Sequence, residues 1–252
     1  MSFAVAADSY DRFMGRYSVP LAPLFADFAG VVAGQRVLDV GCGPGAMTTE
    51  LVGRLGADSV AAVDPSKPFV AAARERHPGV RVERGPAEQL PFSDREFDAA
   101  LAQLVVHFMA DPVAGLSEMA RVTRKDGVVA ASVWDHAGNE GPLSPYWDAV
   151  RELDPDVADE SKLAGAREGH LAELLEAAGL RELRETHLEV SVEHPTFEDW
   201  WDPFTLGVGP AGDYVARLDP ERRAELRERC REKLSPAPFV LNSRAWAARG
   251  LV

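Results

Sequence analysis

Apolar residues fall in short runs separated by glycine, proline and charged breaks, and the spacing inside the runs alternates between two kinds. Residues 37–40, Val-Leu-Asp-Val, form a run that ends in Gly41-Cys42-Gly43-Pro44-Gly45, which predicts a buried strand entering a glycine turn. Residues 48–55 then place Leu51, Val52 and Leu55 on one side of a helix. Residues 59–63 predict a second strand, closed by Asp64-Pro65, and residues 68–77 a helix ended by Pro78-Gly79. A short third strand follows at 80–83, and a fourth at 97–101 that can extend to Gln103. Residues 112–122 are amphipathic at helical spacing through Val113, Leu116, Met119 and Ala120. Asp126-Gly127 predicts a turn, and 128–134 a fifth strand.

Strands that alternate strictly with helices imply a parallel sheet with helices on both faces. Right-handed crossovers then bring the strand C-termini to one edge, where open α/β sheets bind ligands. The pattern changes after Trp134. Residues 136–145 are rich in Gly, Pro and Asn and predict a loop. A helix is expected at 170–178, capped by Gly179, then a half-buried strand at 185–192 and a last strand at 243–252. The expected fold is therefore an α/β, doubly wound, mostly parallel sheet of seven strands. Residues 1–135, 166–195 and 239–252 would form its core. Residues 136–165 and 196–238 read as insertions that form a small helical cap over the ligand edge, with a charged helix at 220–234; a peripheral surface hairpin is the alternative for the second.

Composition narrows the function classes. Hydrophobic residues make up 46% and charged residues 27% of the 252, as in ordinary globular proteins. The net charge of −13 and the lack of a long Lys/Arg run speak against a nucleic-acid partner. Residues 217–233 mix both signs and suit a solvated helix. Cys42 and Cys230 are too few and too far apart for a disulfide framework. Residues 1–18 lack an apolar leader core, and no apolar run reaches the ~20 residues of a membrane span. A reduced, cytoplasmic monomer or homodimer is expected, without a bound metal.

The glycine turn is the first chemical signal. It lets the backbone approach a ligand closely, and the helix behind it offers free N–H groups. Asp64, at the end of the second strand, can accept hydrogen bonds from both hydroxyls of a ribose, or can cap the helix after Pro65.

Beyond these two features the chain resembles a known family. Residues 37–45 are similar to motif I of class I S-adenosylmethionine-dependent methyltransferases. Residues 85–92, Gly-Pro-Ala-Glu-Gln-Leu-Pro-Phe, followed by Phe97-Asp98, resemble the family's segment after strand three. His107, Asp111-Pro112, residues 118–122 and Asp126-Gly127 continue the likeness in order. The subgroup it most resembles contains ubiquinone- and menaquinone-biosynthesis-like small-molecule methyltransferases. The resemblance implies a Rossmann-like fold, S-adenosyl-L-methionine as cofactor, S-adenosyl-L-homocysteine as product, and a small-molecule methyl acceptor.

The same resemblance implies residue roles. Asp39, Gly41, Cys42, Gly43 and Gly45 would shape or contact the site for the methionine and ribose parts. Asp64 would hold the ribose, Pro65 would lie beside the adenine, Ala87 and Glu88 at its edge, and Gln103 on the methionine side. The family often has an aspartate where this chain has Pro86, which offers neither carboxylate nor N–H. Residues 10–17 resemble a segment that folds over the cofactor, so Tyr10 and Arg16 would reach the methionine carboxylate, unless they belong to a surface helix. His107 reads as a general base or as a packed residue. Trp134, His136, Trp200, Trp201 and Phe204 are candidates for the acceptor pocket, or simply core. Two other functions stay open: a non-catalytic cofactor-binding regulator, and a nicotinamide-dependent oxidoreductase, whose usual Gly-x-Gly-x-x-Gly loop departs from Gly41-Cys42-Gly43-Pro44-Gly45-Ala46.

Overall fold

The computed structural model of the chain describes residues 7–252. The expectations for residues 1–6, part of the leader reading and of the core assignment, lie outside the described residues. The chain opens with α1 (Ala7–Tyr10), a π turn (Asp11–Gly15) and α2 (Arg16–Ala29). The alternating half follows as β1 (Val37–Val40), α3 (Ala46–Leu55), β2 (Val60–Asp64), α4 (Lys67–Arg76), β3 (Arg81–Arg84), β4 (Phe97–Gln103), α5 (Pro112–Val122) and β5 (Thr123–Trp134). Beyond it come α6 (Ser144–Leu153), α7 (His170–Ala177), β6 (Arg181–His194), α8 (Phe197–Trp201), α9 (Gly209–Arg217), α10 (Pro220–Lys233) and β7 (Phe239–Leu251).

The strands form one seven-stranded sheet in the order β3-β2-β1-β4-β5-β7-β6. The strands from β3 to β5 are parallel, while β7 runs antiparallel to both β5 and β6. Every residue of β1 and β2 is buried, as expected of central strands covered on both faces. On one face Val37, Ala62 and Leu101 meet Phe25 of α2, Leu51 of α3 and Val70 of α4. On the other, Leu38, Val63 and Ala100 meet Leu116 and Met119 of α5 and Leu171 and Leu175 of α7. This is the doubly wound, mostly parallel α/β arrangement, Rossmann-like in its order of strands.

A third apolar cluster lies beyond the sheet edge. It joins Phe13, Tyr17 and Leu21 to Trp134, to Tyr146 and Trp147 of α6, and to Trp200, Trp201, Phe204, Tyr214 and Leu226 of the segment before β7. Both insertions and the N-terminal segment therefore share one core. No helix among the described residues is long and apolar enough to cross a membrane.

Three local expectations are corrected. The Asp126-Gly127 turn lies inside β5, which begins at Thr123; Asp126 takes a left-handed conformation where the pairing with β4 shifts register. The loop expected at 136–145 ends at residue 143, its last two positions already belonging to α6, which buries Tyr146, Trp147 and Val150. The last strand starts at Phe239, four residues earlier than the spacing predicts, because β7 pairs along β6 down to His194.

Candidate active site: a cavity with two unlike ends

The C-terminal ends of the parallel strands surround a cavity of about 280 Å³. That volume lies near the lower end for small-molecule clefts. Gly41 and Gly43 line it after β1, Asp64, Pro65 and Ser66 after β2, Gly85 to Glu88 after β3, and Gln103 to Val105 at the end of β4. Tyr10 and Phe69 close one side, with ring centroids 5.3 Å apart in an edge-on contact.

The glycine turn is fixed by its own backbone. Gly41 and Cys42 both donate N–H bonds to Val63 O, at 2.8 and 3.0 Å. Gly41 has φ +71°, and a Cβ there would lie 2.5 Å from both methyl carbons of Val105. Gly43 donates its N–H to Asp64 Oδ2 at 2.9 Å, and Ser66 donates to Asp64 Oδ1 at 2.8 Å. Asp64 thus orients its carboxylate by two backbone donors while each oxygen keeps a further lone pair. Burial raises its pKa, and those two backbone bonds oppose the rise.

Asp39 sits beneath the turn and not on the cavity wall. It is 1% exposed and accepts a 2.6 Å hydrogen bond from Thr48 Oγ1. Burial pushes its pKa up to about 7, with the Thr48 bond opposing and the nearby Asp64 adding to the rise. Cys42 is likewise buried under the turn, among apolar residues of one sheet face. Gly45 lines a different feature, a surface groove shared with Arg16, Thr49 and Arg76.

Arg16 points away from the cavity. Its Nη1 donates to Asp199 Oδ2 at 2.7 Å and lies 3.0 Å from His194 Nδ1, tying α2 to the start of α8. Tyr10 does reach the wall; burial first, then the charges of Asp64 and Asp11, raise its phenol pKa. Glu88 lines the cavity, but its Oε1 accepts the N–H groups of Ala110 at 2.7 Å and Asp111 at 3.2 Å. It therefore braces the segment leading into α5, where Asp111 in turn caps the helix through Ala114 N–H at 3.0 Å. Gln103 donates from Nε2 to Ser18 O at 3.0 Å, and its buried Oε1 has no hydrogen-bond partner among the described residues.

At Tyr10, Leu104 and Phe108 the cavity adjoins a narrow apolar end, a second pocket of about 40 Å³. Phe13, Met14, His107, Trp134, His136, Leu143, Glu160 and Val208 to Ala211 line it. His107 stands on a short 3₁₀ turn (Val106–Phe108) after β4, and His136 follows β5. Burial lowers the pKa of both imidazoles, and each is held neutral near pH 7. Trp200 and Phe204 line a separate crevice with Arg16, Tyr17 and His194. Trp201 is cap core, stacked at 6.3 Å on Phe197 and 6.0 Å on Phe204.

The structure thus brings together Tyr10, Gly41, Gly43, Asp64, Pro65, Ala87, Glu88 and Gln103 at the wide end, and His107, Trp134 and His136 at the narrow end. Sequence reading missed Phe69, Leu104, Phe108, Leu143 and Glu160. Phe69 and Leu104 carry a signal in hindsight, since they follow the strand ends that were already read. Glu160 carries none, as it sits in a polar, acidic stretch without periodicity.

Comparison with known proteins comes out on the same side. Residues 38–131 match the model of a family described as "Methyltransferase domain". An uncharacterized methyltransferase of Mycobacterium tuberculosis is 38% identical over 135 residues, 54% of this chain and 52% of that one. The chain thus spans about half the length of that relative. A demethylmenaquinone methyltransferase of a Mycobacterium species is 34% identical over 168 residues, 62% of this chain and 71% of that one. Among solved structures, phosphoethanolamine N-methyltransferase 2 of Haemonchus contortus, bound to phosphomonomethylethanolamine and S-adenosylhomocysteine, superimposes with a TM-score of 0.58 at 17% identity. It covers all of this chain and 60% of that one.

Proposed function

The chain belongs to the class I S-adenosylmethionine-dependent methyltransferases, and from that premise we propose that it methylates a small molecule held at the narrow end of the cavity. The observation that carries the reading is that the two ends adjoin: Tyr10, Leu104 and Phe108 line both. A small, mostly apolar pocket beside the cofactor cleft suits a small acceptor better than a polymer.

The residues at the wide end fit the family's cofactor. Gln103 Oε1 is a buried acceptor without a partner among the described residues, on a side chain that lines the cleft, and suits an ammonium group. Asp64, already aligned by Gly43 and Ser66, has lone pairs left for the two ribose hydroxyls. Tyr10 and Phe69 offer aromatic faces and edges that exclude water from a bound base. With Glu88 engaged by two backbone donors and Pro86 lacking an N–H, adenine is recognised mainly by shape and backbone groups here.

S-adenosylmethionine, when bound, supplies an already activated methyl group on a sulfonium sulfur. The protein's task is then alignment: its side chains hold the acceptor atom in line and keep water out. His107, His136 and Glu160 are titratable side chains that line the narrow end, where an acceptor oxygen or nitrogen would be held.

The experiment is transfer of a labelled methyl group to a panel of small acceptors, beside calorimetric titration with S-adenosylhomocysteine. Labelled product together with binding supports the reading. Binding without transfer to any acceptor favours a non-catalytic role. Stabilisation by NADH with no binding of S-adenosylhomocysteine contradicts it.

A further inference from the structure

The narrow end contains a cluster that the reading above leaves without a full explanation. His107, His136 and Glu160 are all buried, and one donor atom from each lies within 4.8 Å of the others. They come from three separate places: the turn after β4, the end of β5, and a short 3₁₀ turn (Glu160–Lys162) in the first insertion. His107 Nδ1 and His136 Nε2 have no hydrogen-bond partner among the described residues. His107 is 6% exposed and His136 8%. Leaving two imidazole nitrogens buried and unpaired costs on the order of 1–3 kcal/mol each.

We propose that His107, His136 and Glu160 bind one divalent transition-metal ion, which offers an open coordination position to an acceptor bearing an anionic oxygen. Two neutral imidazoles and a carboxylate are the donor set of zinc and ferrous sites. Such three-ligand sites keep a position free for water or substrate. A tetrahedral ion at bond lengths of ~2.0–2.2 Å holds its donors roughly 3.4 Å apart. The groups, already within 4.8 Å, need to draw together by no more than about 1.4 Å.

The surroundings support a ligand role. Glu160, 4% exposed, accepts a 3.0 Å hydrogen bond from Trp147 Nε1 on Oε2, a second contact of the kind that orients metal-binding carboxylates. The pocket in front of the cluster is walled by Phe13, Met14 and Trp134, which leaves the ion as the main polar anchor for an acceptor. An enolate, phenolate or carboxylate oxygen would displace water from the open position and be held beside the cofactor cleft. The choice of acceptor rests on the proposed function; the ion site does not.

The test uses the whole protein, stripped of metal with a chelator and titrated with Co²⁺ and with Zn²⁺ alone. The expected result is about one equivalent bound per chain, with a visible cobalt absorption typical of low coordination number. His136→Gln and Glu160→Gln should each weaken binding by about 100-fold or more, since loss of even an outer contact costs 10–100-fold. Glu160→Gln keeps an acceptor for Trp147, and S-adenosylhomocysteine affinity in the same samples certifies the fold. No saturable ion binding, or binding unchanged in both variants, overturns the site while leaving the cofactor reading intact. Ion binding without S-adenosylhomocysteine binding overturns the proposed function and leaves the site.

Discussion

The two ends of the cavity are built from different materials. At the wide end most of the wall comes from the C-terminal ends of β1 to β4 and the turns after them, with Asp64 held by the N–H groups of Gly43 and Ser66 and with Tyr10 and Phe69 closing one side. At the narrow end the wall is made of side chains from residues far apart in sequence, gathered by the N-terminal segment and both insertions. The wide end is therefore set largely by the sheet and the turns that follow its strands. The narrow end depends on how the N-terminal segment and residues 136–165 and 196–238 pack together.

Substitutions at the two ends should separate accordingly. The largest effect is expected for Gly41→Val. Its Cβ would meet Val105 at 2.5 Å in a left-handed conformation, so nothing short of moving the turn accommodates it. S-adenosylhomocysteine affinity should fall at least ~100-fold and stability by more than about 2 kcal/mol, as read by calorimetry and thermal melting. Phe204→Ala, in the cap core at 2% exposure, should cost about 3–5 kcal/mol of stability. Near-normal cofactor affinity in the folded fraction would show that the ends are independent; a parallel loss of affinity would break the comparison.

A pH profile probes the ground beneath the wide end. Burial pushes the pKa of Asp39 from the ordinary 3.8 up to about 7. The folded chain holds that proton over a window where the unfolded chain has lost it, so its contribution is complete below about pH 4 and fades as pH rises through 7. The stability of the native protein relative to Asp39→Asn should fall between about pH 4 and 8. The buried His107 and His136 have lowered pKa values, which reduces stability below about pH 6.5. Their effect is present in both proteins and cancels in the difference. The smallest effect is expected for Arg16→Gln. Its partly exposed ion pair with Asp199 is worth roughly 0.5–1 kcal/mol, and cofactor affinity should change less than about threefold. A large loss of affinity would place Arg16 on the cofactor after all.

Much of the sheet was legible because its signals are local. The run ending at Gly41, the acid at 64 and the helical spacing that starts at Pro112 each act within a few residues. Helix α2 was not read, since Pro20 and Pro23 lie inside it and tertiary packing of Tyr17, Leu21 and Phe25 outweighs their cost. Helix α6 was hidden behind a glycine-rich loop. At the site, Tyr10 and Gln103, expected from resemblance, line the cavity, whereas Arg16, expected at the methionine carboxylate, pairs instead with Asp199, 183 positions away, a contact no local pattern signals. The grouping of His107 with His136 and Glu160 has no sequence signal, as it depends on where the first insertion lands.

The most direct measurement is a calorimetric titration of S-adenosylhomocysteine into the native protein and Asp64→Ala side by side. Binding to the native chain, weakened by about 10- to 100-fold in the variant, is the predicted result, since two hydrogen bonds to a charged group are lost. No binding to the native chain, or equal affinity in both proteins, would contradict the assignment of the wide end to the cofactor.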